Sequence, residues 1–129
     1  MKIYCCGCQK DTEANFVTGQ VVYPHRPDLY SRGFWQCPCC KNFVGCHDRN
    51  KKGNFKPLGC IATPEIKKAR MSLHSYIDPL WKTGRIRRQK LYGQISTLLG
   101  YEYHTAETKS VEEIEQVKNL VKTHIERLL

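Results

Sequence analysis

Apolar positions in the second half of the chain recur at helical spacing. Thr63 is a good N-cap residue and Pro64 suits a first helical position. Ile66, Ala69, Leu73 and Ile77 then fall three or four apart and predict a helix, which Pro79 is expected to end. A second helix is predicted from about Ile86 to Leu99, with Leu91, Ile95, Leu98 and Leu99 as its apolar face and Gly100 as its stop. A third begins at Ser110, where Ser110 and Glu113 have the spacing of a capping box. Val111, Ile114, Val117, Val121, Ile125 and Leu128 give that helix an apolar stripe.

The first half has no such period. Its short apolar runs are bounded by Gly, Pro and Asn, which predicts short strands and turns over residues 1–47. Phe16-Val17 and Val21-Val22-Tyr23 flank Thr18-Gly19-Gln20, which reads as a hairpin connection. Pro24 and Pro27 interrupt regular structure, and Gly33–Gln36 and Lys41–Gly45 read as strands. A polar, basic loop follows at 48–56 and closes at Pro57-Leu58-Gly59. The expected fold is α+β: an N-terminal small antiparallel sheet over residues 1–60, which C-x-x-C pairs at Cys5–Cys8 and Cys37–Cys40 make zinc-ribbon-like, and about three helices over 61–129, packed together as one compact domain. No repeat of solenoid period and no low-complexity segment interrupts this plan.

Eight cysteines in 129 residues give the sheet region its chemistry. The start of the chain has no apolar run long enough for a signal peptide, and no stretch approaches the ~20 apolar residues of a membrane span. The expectation is therefore a reducing cytoplasm, where paired cysteines point to metal rather than to disulfides. Cys5-Cys6-Gly7-Cys8 and Cys37-Pro38-Cys39-Cys40 each contain a C-x-x-C. Two thiolates at that spacing on a tight turn reach one metal at about 2.3 Å, and two such turns close a tetrahedral site. The 28 residues between Cys8 and Cys37 are long enough to form the intervening sheet. One structural Zn2+ on Cys5, Cys8, Cys37 and Cys40 is the expectation, with an iron–sulfur centre as the competing use of the same ligands. Four protein ligands leave no open position for catalysis. Cys6 and Cys39 should point away from the metal, and Cys46 and Cys60 are expected as packed thiols. A redox use of either pair requires an exposed thiol of low pKa at a helix start, and neither context looks like one.

The order of these pieces resembles a family: the zinc-finger-containing domain of uncharacterised phage and bacterial proteins. The resemblance rests on Cys5-x-x-Cys8, Trp35-Gln36-Cys37-x-x-Cys40, Val44-Gly45-Cys46-His47, Pro57-Leu58-Gly59 with Ala62, Arg70, His74, Asp78-Pro79-Leu80-Trp81, Leu99-Gly100 and His104, so it covers nearly the whole chain. It implies a zinc-binding N-terminal part beside a helical C-terminal part, and it brings no established activity. This chain departs from the pattern at Cys46, where an aliphatic residue is more usual, and in a longer, more basic loop at 48–56.

Charge shapes the functional reading. The net formal charge is +9, carried by residues 1–100, while residues 101–129 hold four Lys/Arg against six Asp/Glu. A basic body attracts polyanions. Arg49, Lys51, Lys52, Arg85, Arg87 and Arg88 are the candidate phosphate contacts, with Tyr30 and Tyr92 available to stack on bases. Basic residues at a helix start oppose the macrodipole, which argues for a use beyond solubility at 85–90; an ordinary solvated face is the competing reading. The leading functional expectation is a nucleic-acid-binding accessory protein, of phage origin, taking DNA or RNA. The alternative is a module that docks on a host protein and modulates it. An enzyme is the weakest reading: no phosphate loop, nucleophile elbow or paired-carboxylate motif is present. A nuclease would need His47, His74 and His104 to gather as a functional cluster. Against that stand a packed His47 and a structural His74–Asp78 pair, four apart on one helix face.

Overall fold

The computed structural model describes residues 1–47 and 55–129. The chain forms two compact units, Met1–Pro64 and Glu65–Leu129. The architecture is α+β, with small antiparallel sheets in the first unit and helices in the second.

The first unit opens with β1 (Lys2–Cys5) and β2 (Lys10–Glu13), an antiparallel pair in which Cys5 faces Lys10 and Lys2 faces Glu13. The first C-x-x-C is thus itself the turn of a hairpin. A second sheet has the order β3 (Asn15–Thr18), β4 (Gly33–Gln36), β5 (Phe43–Gly45), all antiparallel. The second C-x-x-C joins β4 to β5. Further along, the chain returns beside both sheets. His47 and Leu58 donate their amides to Lys56 and Gly45, extending the β5 edge. Cys6 donates to the Ile61 carbonyl at 2.8 Å and Ile61 to the Tyr4 carbonyl at 2.9 Å, so residue 61 runs parallel to β1.

The hairpin expected around Thr18-Gly19-Gln20 does not form. Gly19–Val22 is a single helical turn, α1, and β3 pairs with β4 instead. Gly19 decides this locally: a Cβ there would lie 1.8 Å from the Leu29 carbonyl oxygen, so only glycine lets the chain fold back so closely. Gly19 also donates to Arg32 at 2.9 Å, tying the start of this excursion to its end.

In the second unit α2 (Pro64–Lys82), α3 (Arg88–Leu99) and α4 (Val111–Leu120) carry the core. The predicted stop at Pro79 is wrong, because α2 continues one turn further to Lys82. Proline removes one intrahelical hydrogen bond, but Leu80 and Ile77 are buried on that last turn and hold it. The stop is instead Gly84, two residues past the last helical residue Lys82; it takes φ +80° and donates to the Trp81 carbonyl. Likewise α3 starts at Arg88, two residues later than the pattern indicated, and ends at Gly100 in the left-handed region as expected. The Ser110 half of the capping box is present, Ser110 Oγ accepting from the Glu113 amide at 3.1 Å, while Glu113 Oε1 accepts from the Lys109 amide at 2.9 Å, one residue before the cap. Leu73, Ile77, Leu91, Ile95, Ile114, Val117 and Val121 are fully buried in one cluster. Leu98 and Leu128 are exposed, so the predicted stripes overshoot at their ends.

Candidate metal centre

The four predicted ligands meet. The sulfurs of Cys5, Cys8, Cys37 and Cys40 all lie within 4.8 Å of one another. Cys5 Sγ is 3.4 Å from Cys40 Sγ, and Cys8 Sγ is 3.7 Å from Cys37 Sγ. A tetrahedron of sulfurs each ~2.3 Å from a zinc ion has edges of about 3.8 Å, so the set fits zinc with small adjustments. None of the eight cysteines is in a disulfide.

The two halves are built alike. In the first, the amides of Gly7 and Cys8 donate to the Cys5 sulfur; in the second, those of Cys39 and Cys40 donate to the Cys37 sulfur. Each turn is closed by a residue in the left-handed region, Gln9 at φ 56° and Lys41 at φ 65°. Cys5 and Cys37, the first ligand of each pair, are fully buried, whereas Cys8 is half-buried and Cys40 exposed. The acidity of the sulfurs does not follow burial alone. Burial pushes Cys37 up, but the Cys40 amide, the Thr12 hydroxyl and the Cys39 amide outweigh it and bring the thiol down to about 6. Cys8 is pushed up to about 12, first by its bond to Cys37 and then by desolvation. Cys5 is raised mainly by burial. Zinc takes cysteine as thiolate, so metal binding at this site releases protons.

The other cysteines are placed as expected in part. Cys39 is exposed and is not among the converging sulfurs. Cys6 and Cys60 are buried against each other, with sulfurs 3.7 Å apart. Cys46 is only half-buried, its sulfur 3.7 Å from the Phe55 carbonyl oxygen. Thr12, whose hydroxyl sits 3.6 Å from the Cys37 sulfur, is a contributor that the cysteine spacing gave no reason to name.

Of the predicted phosphate contacts, Arg49, Lys51 and Lys52 lie outside the described residues. Arg85, Arg87 and Arg88 are all exposed between α2 and the first turn of α3. Arg88 lies over two rings, 5.7 Å from the Trp81 centroid and 5.0 Å from the Tyr92 centroid, and Lys82 is 5.5 Å from Trp81. The Arg88–Tyr92 contact has the i,i+4 spacing of neighbours on one helix face. Tyr30, the other candidate stacking residue, bonds its hydroxyl to the Pro24 carbonyl.

The three histidines fall in different units. His47 follows β5 in the first and is exposed, with its amide bonded to the Lys56 carbonyl. His74 and His104 are in the second. His74 Nδ1 is 3.3 Å from Asp78 Oδ1, which also accepts from Trp81 Nε1 at 3.1 Å. His104 Nε2 is 3.1 Å from Glu102. Among the described residues, the cysteine tetrad is the group of three or more His, Cys, Asp or Glu side chains that converges on a common point.

Sheet hairpins closed by two C-x-x-C turns, followed by a helical unit, define a zinc-binding α+β protein. No helix among the described residues is long and apolar enough to cross a membrane. The chain belongs to the zinc-finger-containing domain family, whose model matches residues 2–127. No curated protein and no solved structure matches it.

Proposed function

We propose that this zinc protein binds nucleic acid through the basic corner between α2 and α3. One observation carries the reading. Lys82, Arg85, Arg87, Arg88 and Lys90 are all exposed, and none has an ion pair with a carboxylate among the described residues. The stretch 79–101 that contains them has no Asp or Glu. Elsewhere exposed cations do find carboxylates, as Arg26 does with Asp28 at 2.8 Å. The corner keeps its charge available to an external anion. Trp81 and Tyr92 add flat surfaces beside it, and stacking of Arg88 on them holds its guanidinium in a fixed plane for a phosphate. Arg49, Lys51 and Lys52 belong to the same proposal on sequence grounds, and an accessory role in a phage belongs to it on the family resemblance. Zinc enters as scaffold.

A mobility-shift titration of the zinc-loaded protein against duplex and single strands tests this. Affinity should fall steeply with salt, by a slope of about 0.7–0.9 in log–log form for each phosphate contacted. The Arg85→Gln/Arg87→Gln variant should flatten the slope by one to two such contacts, and Arg49→Gln/Lys51→Gln/Lys52→Gln should flatten it independently. No shift at low salt rejects the proposal. If a single host protein is then captured in nuclease-treated extract, docking on that protein is the better reading.

A further inference from the structure

Two cysteines outside the metal tetrad meet. Cys6 and Cys60 are 54 residues apart in sequence, yet their sulfurs lie 3.7 Å from each other. Both are buried, at 6% and 2% exposure. The remaining two cysteines are placed differently: Cys39 is exposed, and the Cys46 sulfur lies against the Phe55 carbonyl oxygen. Neither Cys6 nor Cys60 belongs to the group that converges on the zinc position.

The backbone holds the two thiols together. Cys6 sits in the turn after β1, directly beside the first ligand. Cys60 lies in the segment that returns beside β1. Cys6 donates its amide to the Ile61 carbonyl at 2.8 Å, and Ile61 donates to the Tyr4 carbonyl at 2.9 Å, so Cys5 and Ile61 form a parallel bridge. Ile61 and Ala62 are buried as well, which anchors the returning segment on this edge. The folded chain therefore keeps both sulfurs at contact distance, and groups held together in this way react as one unit. To bond, the sulfurs need to close from 3.7 Å to the ~2.05 Å of a disulfide.

We propose that Cys6 and Cys60 form a modification site for a peroxide-class oxidant, which couples them as a disulfide while zinc stays on the tetrad. Peroxide oxidises one thiol to a sulfenic acid and releases water. The other sulfur then attacks the oxidised sulfur. The S–S bond forms, the S–O bond breaks, and the departing oxygen leaves as a second water with the last thiol proton. Two thiols and one peroxide thus give one disulfide and two waters. A dithiol reductant reverses the step by exchange. Burial selects the oxidant: hydrogen peroxide is close to water in size, whereas a bulky disulfide must reach a sulfur that is almost fully covered. The new bond closes a loop that contains β2 to β5. Closing a long loop restricts the unfolded chain, so the oxidised first unit should keep its fold and its zinc longer under chelation. The pair lies in the first unit and does not depend on the basic corner of the second.

The test treats the zinc-loaded full chain with hydrogen peroxide, alongside Cys39→Ser/Cys46→Ser, which removes the two other thiols outside the tetrad. Zinc content is measured first; intact mass and a peptide map follow. The expected result is a Cys6–Cys60 crosslink, a mass lower by two hydrogens, zinc retained, and full reversal by dithiothreitol. Oxidised glutathione should form the crosslink roughly tenfold more slowly or worse, since reactivity follows exposure. Zinc loss to a chelator should slow at least tenfold in the oxidised protein. Cys60→Ser should bind zinc and show neither the crosslink nor the slowing, and Cys60→Ala is the second variant for these apolar surroundings. Recovery of Cys6 and Cys60 as unreacted thiols in excess peroxide overturns the proposal, whatever the variants do. So does zinc release with crosslinks among the ligand cysteines before Cys6 and Cys60 couple. An unchanged rate of zinc loss in crosslinked protein overturns the stabilising effect assigned to the bond.

Discussion

Withdrawing zinc should unfold the first unit and leave the second folded. The core of the first unit consists of Ile3, Cys5, Ala14, Cys37, Val44 and Ile61, and two of these six are ligands. Its aliphatic members, Ile3, Val44 and Ile61, contribute about 1.5–3 kcal/mol each, or about 5–9 kcal/mol together. A comparable structural zinc contributes about 10–16 kcal/mol at neutral pH. Small domains retain only about 5–15 kcal/mol net, so loss of the zinc contribution exceeds the stability the unit has to lose. Without metal the four sulfurs also become partly charged, crowded polar groups at the centre of that core. The second unit differs: its cluster of eleven buried residues, from Leu73 to Ile125, contains no ligand. The assay is stepwise chelation of the 15N-labelled full chain at neutral pH with reductant present, so that no disulfide replaces the metal. Amides of 1–47 and 55–64 should collapse to unfolded shifts while those of 65–129 stay dispersed and most helical circular dichroism survives. Cys37→Ser should behave like the chelated protein. Native dispersion in β3–β5 after zinc is quantitatively gone would refute the reasoning.

Three further outcomes follow from individual residues. Leu73→Ala should lower the stability of the second unit by about 2–5 kcal/mol in urea denaturation, because Leu73 is fully buried, whereas Met71→Ala, at a residue 70% exposed, should stay within about 0.5 kcal/mol. Gln9→Gly should tighten zinc binding up to about fivefold in a competition titration, since a non-glycine residue at positive φ costs about 1–2 kcal/mol and glycine loses part of that gain to its unfolded-state freedom. Tyr103 and Tyr76 are each raised to about 12, foremost by burial, so both favour the fold while protonated. Their stabilisation is complete below the ordinary value of 10.0 and disappears as pH rises toward about 12, so tyrosinate absorbance and unfolding should appear together in that window; normal titration of every tyrosine in a protein that stays folded contradicts this.

Legibility from sequence tracked the range of the interaction. The metal ligands were readable because each half of the site is a four-residue motif whose own amides point at its first sulfur, in Cys5–Cys8 and again in Cys37–Cys40. The helices were readable because their apolar period and caps are local, as with Ser110 and Glu113. Strand pairing was not. Val21 and Val22 have strong β-propensity, yet they form a helical turn because Gly19 meets the Leu29 carbonyl, ten residues away. The stop at Pro79 failed for a similar reason: the local rule was sound, but burial of Leu80 outweighed one lost hydrogen bond. The Cys6–Cys60 contact and the placement of Thr12 beside Cys37 depend on chain returns that no short window contains.

The long interval between the two C-x-x-C turns is what gives this protein more than a metal clip. A minimal site needs only enough chain to bring the second turn back to the first. Here the 28 intervening residues hold β2, β3, the excursion through α1, and β4. β4 places Trp35 toward the metal core and Phe34 on the opposite face, in register beside Val17 of β3. The excursion then supplies Tyr23 and Arg32 to the wall of a cavity of about 730 Å3 on that outer face. Because both ends of the interval are tied to ligands, Cys8 and Cys37, the zinc fixes where that wall begins and ends. Substitutions that empty the outer face, such as Arg32→Gln, should therefore leave zinc affinity unchanged, while loss of a ligand should abolish both zinc binding and the cavity. This asymmetry separates a surface the metal merely supports from one the metal needs.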